Sequence, residues 1–104
     1  MKNILVLCTV NDKTKSEEIA SELVKAKLAA CVNIIPSVTS IYEWKGEICK
    51  DSEYLMIIKS SENLFKDLEN CIKSLHPYEV PEIIAIEITN GNKAYMDWLN
   101  GNLK

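Results

Sequence analysis

Arginine is absent. All 12 basic residues are lysine, set against 15 acidic residues for a net charge of −3. This argues against nucleic-acid binding, because base-edge and phosphate recognition lean on the planar guanidinium fork. Lysine still holds phosphate as a point charge, which leaves small anionic ligands open, and genome composition alone can also remove arginine. No C-x-x-C pair occurs. Cys8, Cys31, Cys49 and Cys71 stand apart, so neither the zinc-ribbon nor the thioredoxin pattern is present. No apolar run approaches the ~20 residues of a membrane span. The run from Ile4 to Val10 is too short for a secretory signal and leads directly into Asn11, Asp12 and Lys13. These absences predict a cytoplasmic protein with reduced thiols and no membrane contact. There is no Gly-rich phosphate loop, and the single histidine, His76, has no clear Ser or Cys nucleophile beside it. The expectation is therefore a protein that is not an enzyme.

What is present suits one domain over residues 1–104. A chain of 104 residues that is 47% hydrophobic and 26% charged can bury a core without disulfides or a structural metal. No linker, repeat or low-complexity segment interrupts it. Residues 3–10, NILVLCTV, read as a strand buried on both faces. Residues 13–29 read as a helix, with Thr14 and Glu17 in capping-box relation and Ile19, Ala20, Leu23, Val24 and Leu28 on one face. Residues 31–44 form a long strand in which Pro36 marks an edge position or a bulge. Lys45 and Gly46 make a tight turn, and residues 47–60 return as a second long strand. Ser60 or Ser61 caps a helix that runs to about Leu75 and stops before Pro77, with Leu64, Phe65, Leu68, Ile72 and Leu75 as its stripe. His76 to Glu82 is an extended loop, residues 83–89 a fourth strand, and Tyr95, Trp98 and Leu99 lie on a short last helix. The order β-α-β-β-α-β plus a terminal helix is the ferredoxin-like α+β pattern: an antiparallel sheet with both crossover helices on one face and the first and fourth strands as neighbours.

The central hairpin is too long for its domain. Arms of about 14 residues at ~3.3 Å each extend roughly 45 Å, whereas a compact chain of this size has a radius of gyration of only ~13 Å. The short first and fourth strands pair with about half of each arm. The overhang carries Ile41, Tyr42, Trp44 and Ile48, and such a ribbon is marginal alone and prone to aggregation. Pairing with further copies of the chain in a closed ring solves this; a hairpin folded back on its own sheet is the alternative.

The motifs LAACVN (Leu28 to Asn33), SIYEWKG (Ser40 to Gly46), HPYEVPEI (His76 to Ile83) and Y-x-x-W-L (Tyr95 to Leu99) together resemble the CutA divalent-cation tolerance family over almost the whole length. Lys59-Ser60 stands where that family often has Lys-Thr, a change that keeps the amine and a hydroxyl. The resemblance implies a stable homotrimer similar to PII signalling proteins, tolerance of divalent cations, and binding of copper. It points to Cys8, His76 and Glu82 as metal-binding positions. The layout agrees: Cys8 lies near the end of the first strand and Glu82 at the entrance to its antiparallel neighbour, with His76 at the far end of the same loop. Thiolate, imidazole and carboxylate suit copper or another soft divalent metal, bound with modest affinity and not required as a cofactor. The same residues have plain structural readings, as a buried thiol, a residue serving a helix end and a solvated carboxylate. Cys31, Cys49 and Cys71 are read as structural thiols. Lys59, Tyr42 and Trp44 are speculative lining for an anion-binding cleft between subunits. Two other functions use the same trimer: a PII-like sensor of a small anionic metabolite, and a scaffold that anchors a protein partner.

Overall fold

The structure, a computed structural model, describes residues 2–104. It contains β1 (Asn3–Val10), α1 (Lys13–Lys25), β2 (Cys31–Trp44), β3 (Glu47–Ser61), a 3-10 turn (Glu62–Leu64), α2 (Phe65–Leu75), β4 (Ile84–Glu87) and α3 (Lys93–Gly101). The sheet order is β2-β3-β1-β4 with every neighbouring pair antiparallel. This is the expected α+β, ferredoxin-like arrangement.

Alternation along the strands decides what is buried. Ile4, Val6, Cys8 and Val10 of β1 and Met56 and Ile58 of β3 face the helices and pack with Ile19 and Leu23 of α1 and Leu68 and Ile72 of α2. The opposite face is also apolar. Leu5 and Leu7 lie there with their partners Ile86, Ile84 and Ile57, and Ile84 and Ile86 are exposed. The expectation that β1 is buried on both faces is corrected here. Among the described residues, α3 reaches only one end of this second face, where Tyr95 meets Lys59 and Asn100 meets Asn3, so Leu5 and Leu7 are only partly buried.

Several boundaries differ from the sequence reading. The N-cap of α1 is Asp12, whose carboxylate accepts from the Lys15 amide at 3.0 Å, rather than Thr14. The helix ends at Lys25, not residue 29, because Lys27 adopts a left-handed conformation (φ 58°) and Leu28 turns its amide back to the Leu23 carbonyl. Glycine usually signals such a stop, and here a lysine occupies the position. Val24 consequently falls outside the buried face. Ser61 occupies the cap position of the 3-10 turn without a side-chain capping bond. The fourth strand is shorter than expected, four residues rather than 83–89.

The hairpin takes the predicted form. Lys45 and Gly46 turn with φ 51° and 83°, the pair of positive values that a two-residue hairpin turn requires. The β1–β3 ladder ends at Val10 opposite Tyr54, so the arms beyond Tyr54 have only each other. The molecule measures 45 × 25 × 22 Å as a result. Near the root, β2 gains one extra residue: Ile35 faces Leu55, and the next pair is Val38 with Glu53. Pro36 sits in this bulge beside Ser37, which has φ 63°.

Candidate functional site

β1 is longer than the strand beside it. β4 pairs with β1 only from Ile4 to Leu7, which leaves the edge at Cys8, Thr9 and Val10 without a strand neighbour. Exposed edge carbonyls need partners, and the segment between α2 and β4 supplies one. His76 is the C-cap of α2 in an extended conformation (φ −75°, ψ 135°), as a residue before proline prefers. Its ring is buried at 9% exposure. Nε2 lies 2.8 Å from the Thr9 carbonyl, and Nδ1 accepts the Tyr78 amide proton at 3.1 Å. A carbonyl can only accept and an amide can only donate, so these two contacts assign the proton to Nε2. Both ring nitrogens are then used.

Tyr78 packs edge-on against the imidazole, with centroids 4.6 Å apart. Its hydroxyl donates to Glu53 Oε2 at 2.5 Å. Burial and the Glu53 bond hold its phenol well above the usual tyrosine range. Glu53 is itself only 5% exposed, and among the described residues no lysine forms an ion pair with it. Cys8 is fully buried on the helix side. Burial, reinforced by the negative fields of Glu82 and Glu53, pushes its thiol up to about 12. Glu82 is exposed at the end of the loop.

The end of β1 therefore has His76 and Glu82 in the neighbourhood of Cys8, while the Tyr78 hydroxyl reaches Glu53 on the other face of the sheet. The chemistry suits a soft divalent ion, but the folded geometry does not form a preformed centre. The thiol faces the core, the imidazole nitrogens are occupied, and among the described residues no three His, Cys, Asp or Glu side chains are grouped to hold a metal. Sequence reasoning did not single out Glu53 or Tyr78. Tyr78 stood inside the quoted loop motif, two residues from His76. Glu53 carried no motif, and its partner depends on long-range packing.

The speculative cleft residues do not meet within one chain. The Lys59 ammonium donates to the Tyr95 hydroxyl at 3.1 Å and lies 5.4 Å from the centre of that ring. Tyr95 in turn leans on Trp98 at 5.6 Å. Tyr42 donates to Asp51, which together with partial desolvation pushes its phenol up to about 12. Trp44 lies at the hairpin tip under the Lys45 ammonium, 5.9 Å from the ring centre. Lys59 pairs across the sheet with Cys31 and Tyr42 with Cys49, which separates them by roughly 33 Å along β3 at ~3.3 Å per residue. Cys31, Cys49 and Cys71 are free and partly buried; Cys71 packs against the core, where burial raises its thiol.

The CutA1 divalent ion tolerance protein family matches residues 4–102. A divalent-cation tolerance protein CutA from Thermus thermophilus is 48% identical over 98 residues, which is 94% of this chain and 95% of its own length. Protein CutA from Homo sapiens is 51% identical over 89 residues, 86% of this chain and 49% of its own length. The chain spans about half the length of the curated plant and mammalian relatives it matches. Among solved structures, CutA1 from Oryza sativa superposes with a TM-score of 0.97 at 40% identity, covering 100% of this chain and 95% of that one. The motifs, the sheet order and these likenesses lead to one assignment: the chain belongs to the CutA divalent-cation tolerance family.

Proposed function

We propose that the chain works in divalent-cation tolerance as a non-catalytic homotrimer that takes up a soft divalent metal, copper foremost, with modest affinity. The observation that carries the metal reading is the corner at the end of β1, where the Cys8 thiol lies within the field of Glu82 and the His76 ring rests on the Thr9 carbonyl. Relatives named divalent-cation tolerance proteins support the physiological role. The trimer is supported by the overhanging arms and by the uncovered apolar face of Leu5, Leu7, Ile57, Ile84 and Ile86.

The geometry accounts for modest affinity. Capture at this corner costs the Cys8 proton and one of the two His76 hydrogen bonds, and Glu82 must turn inward. Because the thiol must give up its proton to bind, affinity falls as pH drops. Calorimetric titration with copper tests this. Cys8→Ser and His76→Ala are expected to weaken binding, each by about tenfold or more, while Cys71→Ser leaves it unchanged. If Cys49→Ser abolishes binding and Cys8→Ser does not, the ion is captured by the hairpin thiol and the corner reading is wrong.

A further inference from the structure

Strand alternation puts Asp51, Glu53, Leu55, Ile57 and Lys59 of β3 on the outer sheet face, because Met56 and Ile58 between them face the helices. The two ends of this row carry opposite charge. At one end lie Asp51 and Glu53, which accept hydrogen bonds from the phenols of Tyr42 and Tyr78 respectively. The two pairs are neighbours: the fields of Tyr42 and Asp51 add to burial and the Glu53 bond in raising the Tyr78 phenol. At the other end lies Lys59, half-buried and flanked by Leu5 and Cys31 on the adjoining strands. Its ammonium donates to the Tyr95 hydroxyl and lies against that ring.

Phenols are neutral, so neither end is neutralised. Among the described residues, Asp51, Glu53 and Lys59 form no ion pair. Their placement explains this. Glu53 and Lys59 stand six positions apart on β3, roughly 20 Å at ~3.3 Å per residue, beyond the joint reach of the two side chains. A carboxylate as buried as Glu53 is costly to hold without a counter-charge. Between the two ends the face is apolar, with Leu7, Ile57, Ile84 and Ile86 across its middle, and an open apolar strip with a polar rim marks a contact surface. A small anion would answer Lys59 and leave the carboxylates; a small cation would do the reverse. Either would leave the apolar strip wet. The occupant that satisfies the whole face carries both signs at about this spacing on either side of an apolar strip, and this chain itself has that pattern.

We propose that the outer face receives a second copy of the chain, with the Lys59 ammonium of one copy entering between the Asp51 and Glu53 carboxylates of the next. In a closed ring every copy gives its lysine to one neighbour and its carboxylates to the other, so no charge is left over. The pairing rests on the homotrimer proposed above and adds the contact that sets its register.

A mutant cycle tests the pairing. Dissociation on dilution, at one sub-denaturing urea concentration, is followed by light scattering for the parent, Lys59→Met, Asp51→Asn/Glu53→Gln and the triple variant. The amides still accept from the two phenols. Removing one side of a desolvated charge pair is expected to raise the midpoint concentration for dissociation about tenfold or more. The triple variant should be no weaker than the weaker of the other two, because both changes remove one contact. Within one chain these groups are too distant to couple, and their effects would multiply. If the acid variant does not fold, the parent is treated with a carbodiimide, which condenses an amine with a carboxylate in contact. An amide from Lys59 to Asp51 or Glu53, joining two chains, is then expected. In a trimeric parent, a Lys59→Met midpoint within about twofold of the parent, multiplying effects, or coupling of Lys59 to neither carboxylate overturns the pairing and leaves the trimer standing. A dimeric parent with a non-additive cycle keeps the pairing and overturns the trimer; a monomeric parent overturns both.

Discussion

At the scale of single residues, the corner is unusual for how completely its polar atoms are occupied. His76 spends one nitrogen on the β1 edge and the other on Tyr78, and Tyr78 spends its hydroxyl on Glu53. Cys8 has the clearest titration consequence. Its thiol is pushed from 9.0 to about 12, chiefly by burial. Between these values the native state holds a proton that the unfolded chain has released, so stability falls as pH rises through this window and is fully retained below it. At 1.36 kcal/mol per unit, the Cys8 contribution is roughly 4 kcal/mol at most. Urea unfolding from pH 8 to 11 is expected to show a shallower alkaline loss for Cys8→Ala than for the parent, whatever the offset between them at pH 8. Equal slopes would mean that Cys8 is not the responsible group. Much of the corner was legible in the sequence: strand order alone brought Cys8 and Glu82 to one end, and the loop motif included His76. The role of Glu53 was not, because a glutamate before an apolar strand half reads as solvated until a distant tyrosine covers it.

At the scale of elements, the strands were read more accurately than the helix ends. β1 and β2 have the boundaries their apolar runs and the Lys45-Gly46 turn imply, since alternation and turn chemistry are local signals. The limits of α1 rest on subtler ones. Two oxygen-bearing residues, Asp12 and Thr14, compete for the N-cap, and the carboxylate nearer the start of the helix wins. Asp12→Ala is expected to cost about 1 kcal/mol in urea unfolding, whereas Thr14→Ala should change stability by no more than ~0.5 kcal/mol; the reverse order would reinstate Thr14 as the cap. β4 was overestimated because its apolar letters continue beyond its ladder. Ile83, just ahead of it, belongs to the loop after α2, whose path is set by His76 and Tyr78 rather than by pairing.

At the scale of the whole molecule, two described surfaces remain open: the outer sheet face around Ile84 and Ile86, and the arms with Ile41, Tyr42, Trp44 and Ile48, exposed by 68%, 42%, 42% and 73%. A homotrimer that covers them predicts light scattering at three times the chain mass. It also predicts that Trp44→Ala loosens the assembly at a cost of about 3–5 kcal/mol if the ring becomes fully buried; a monomeric parent, or an unchanged midpoint and mass in the variant, would leave Trp44 in solvent. Which side of each arm meets a neighbour depends on the bulge at Pro36 and Ser37. A strand is a two-beat pattern, and one extra residue shifts its phase. Before the bulge, odd-numbered residues of β2 such as Asn33 and Ile35 share a face with Leu55 and Ile57; after it, the even-numbered Val38, Ser40, Tyr42 and Trp44 share that face with Glu53 and Asp51. The arm therefore obeys one parity at its root and the opposite parity at its tip. Only through this offset does Tyr42 lie on the side of Asp51, with Trp44 on the same face. Removing the extra residue at this bulge would reverse the faces of the arm residues that follow it.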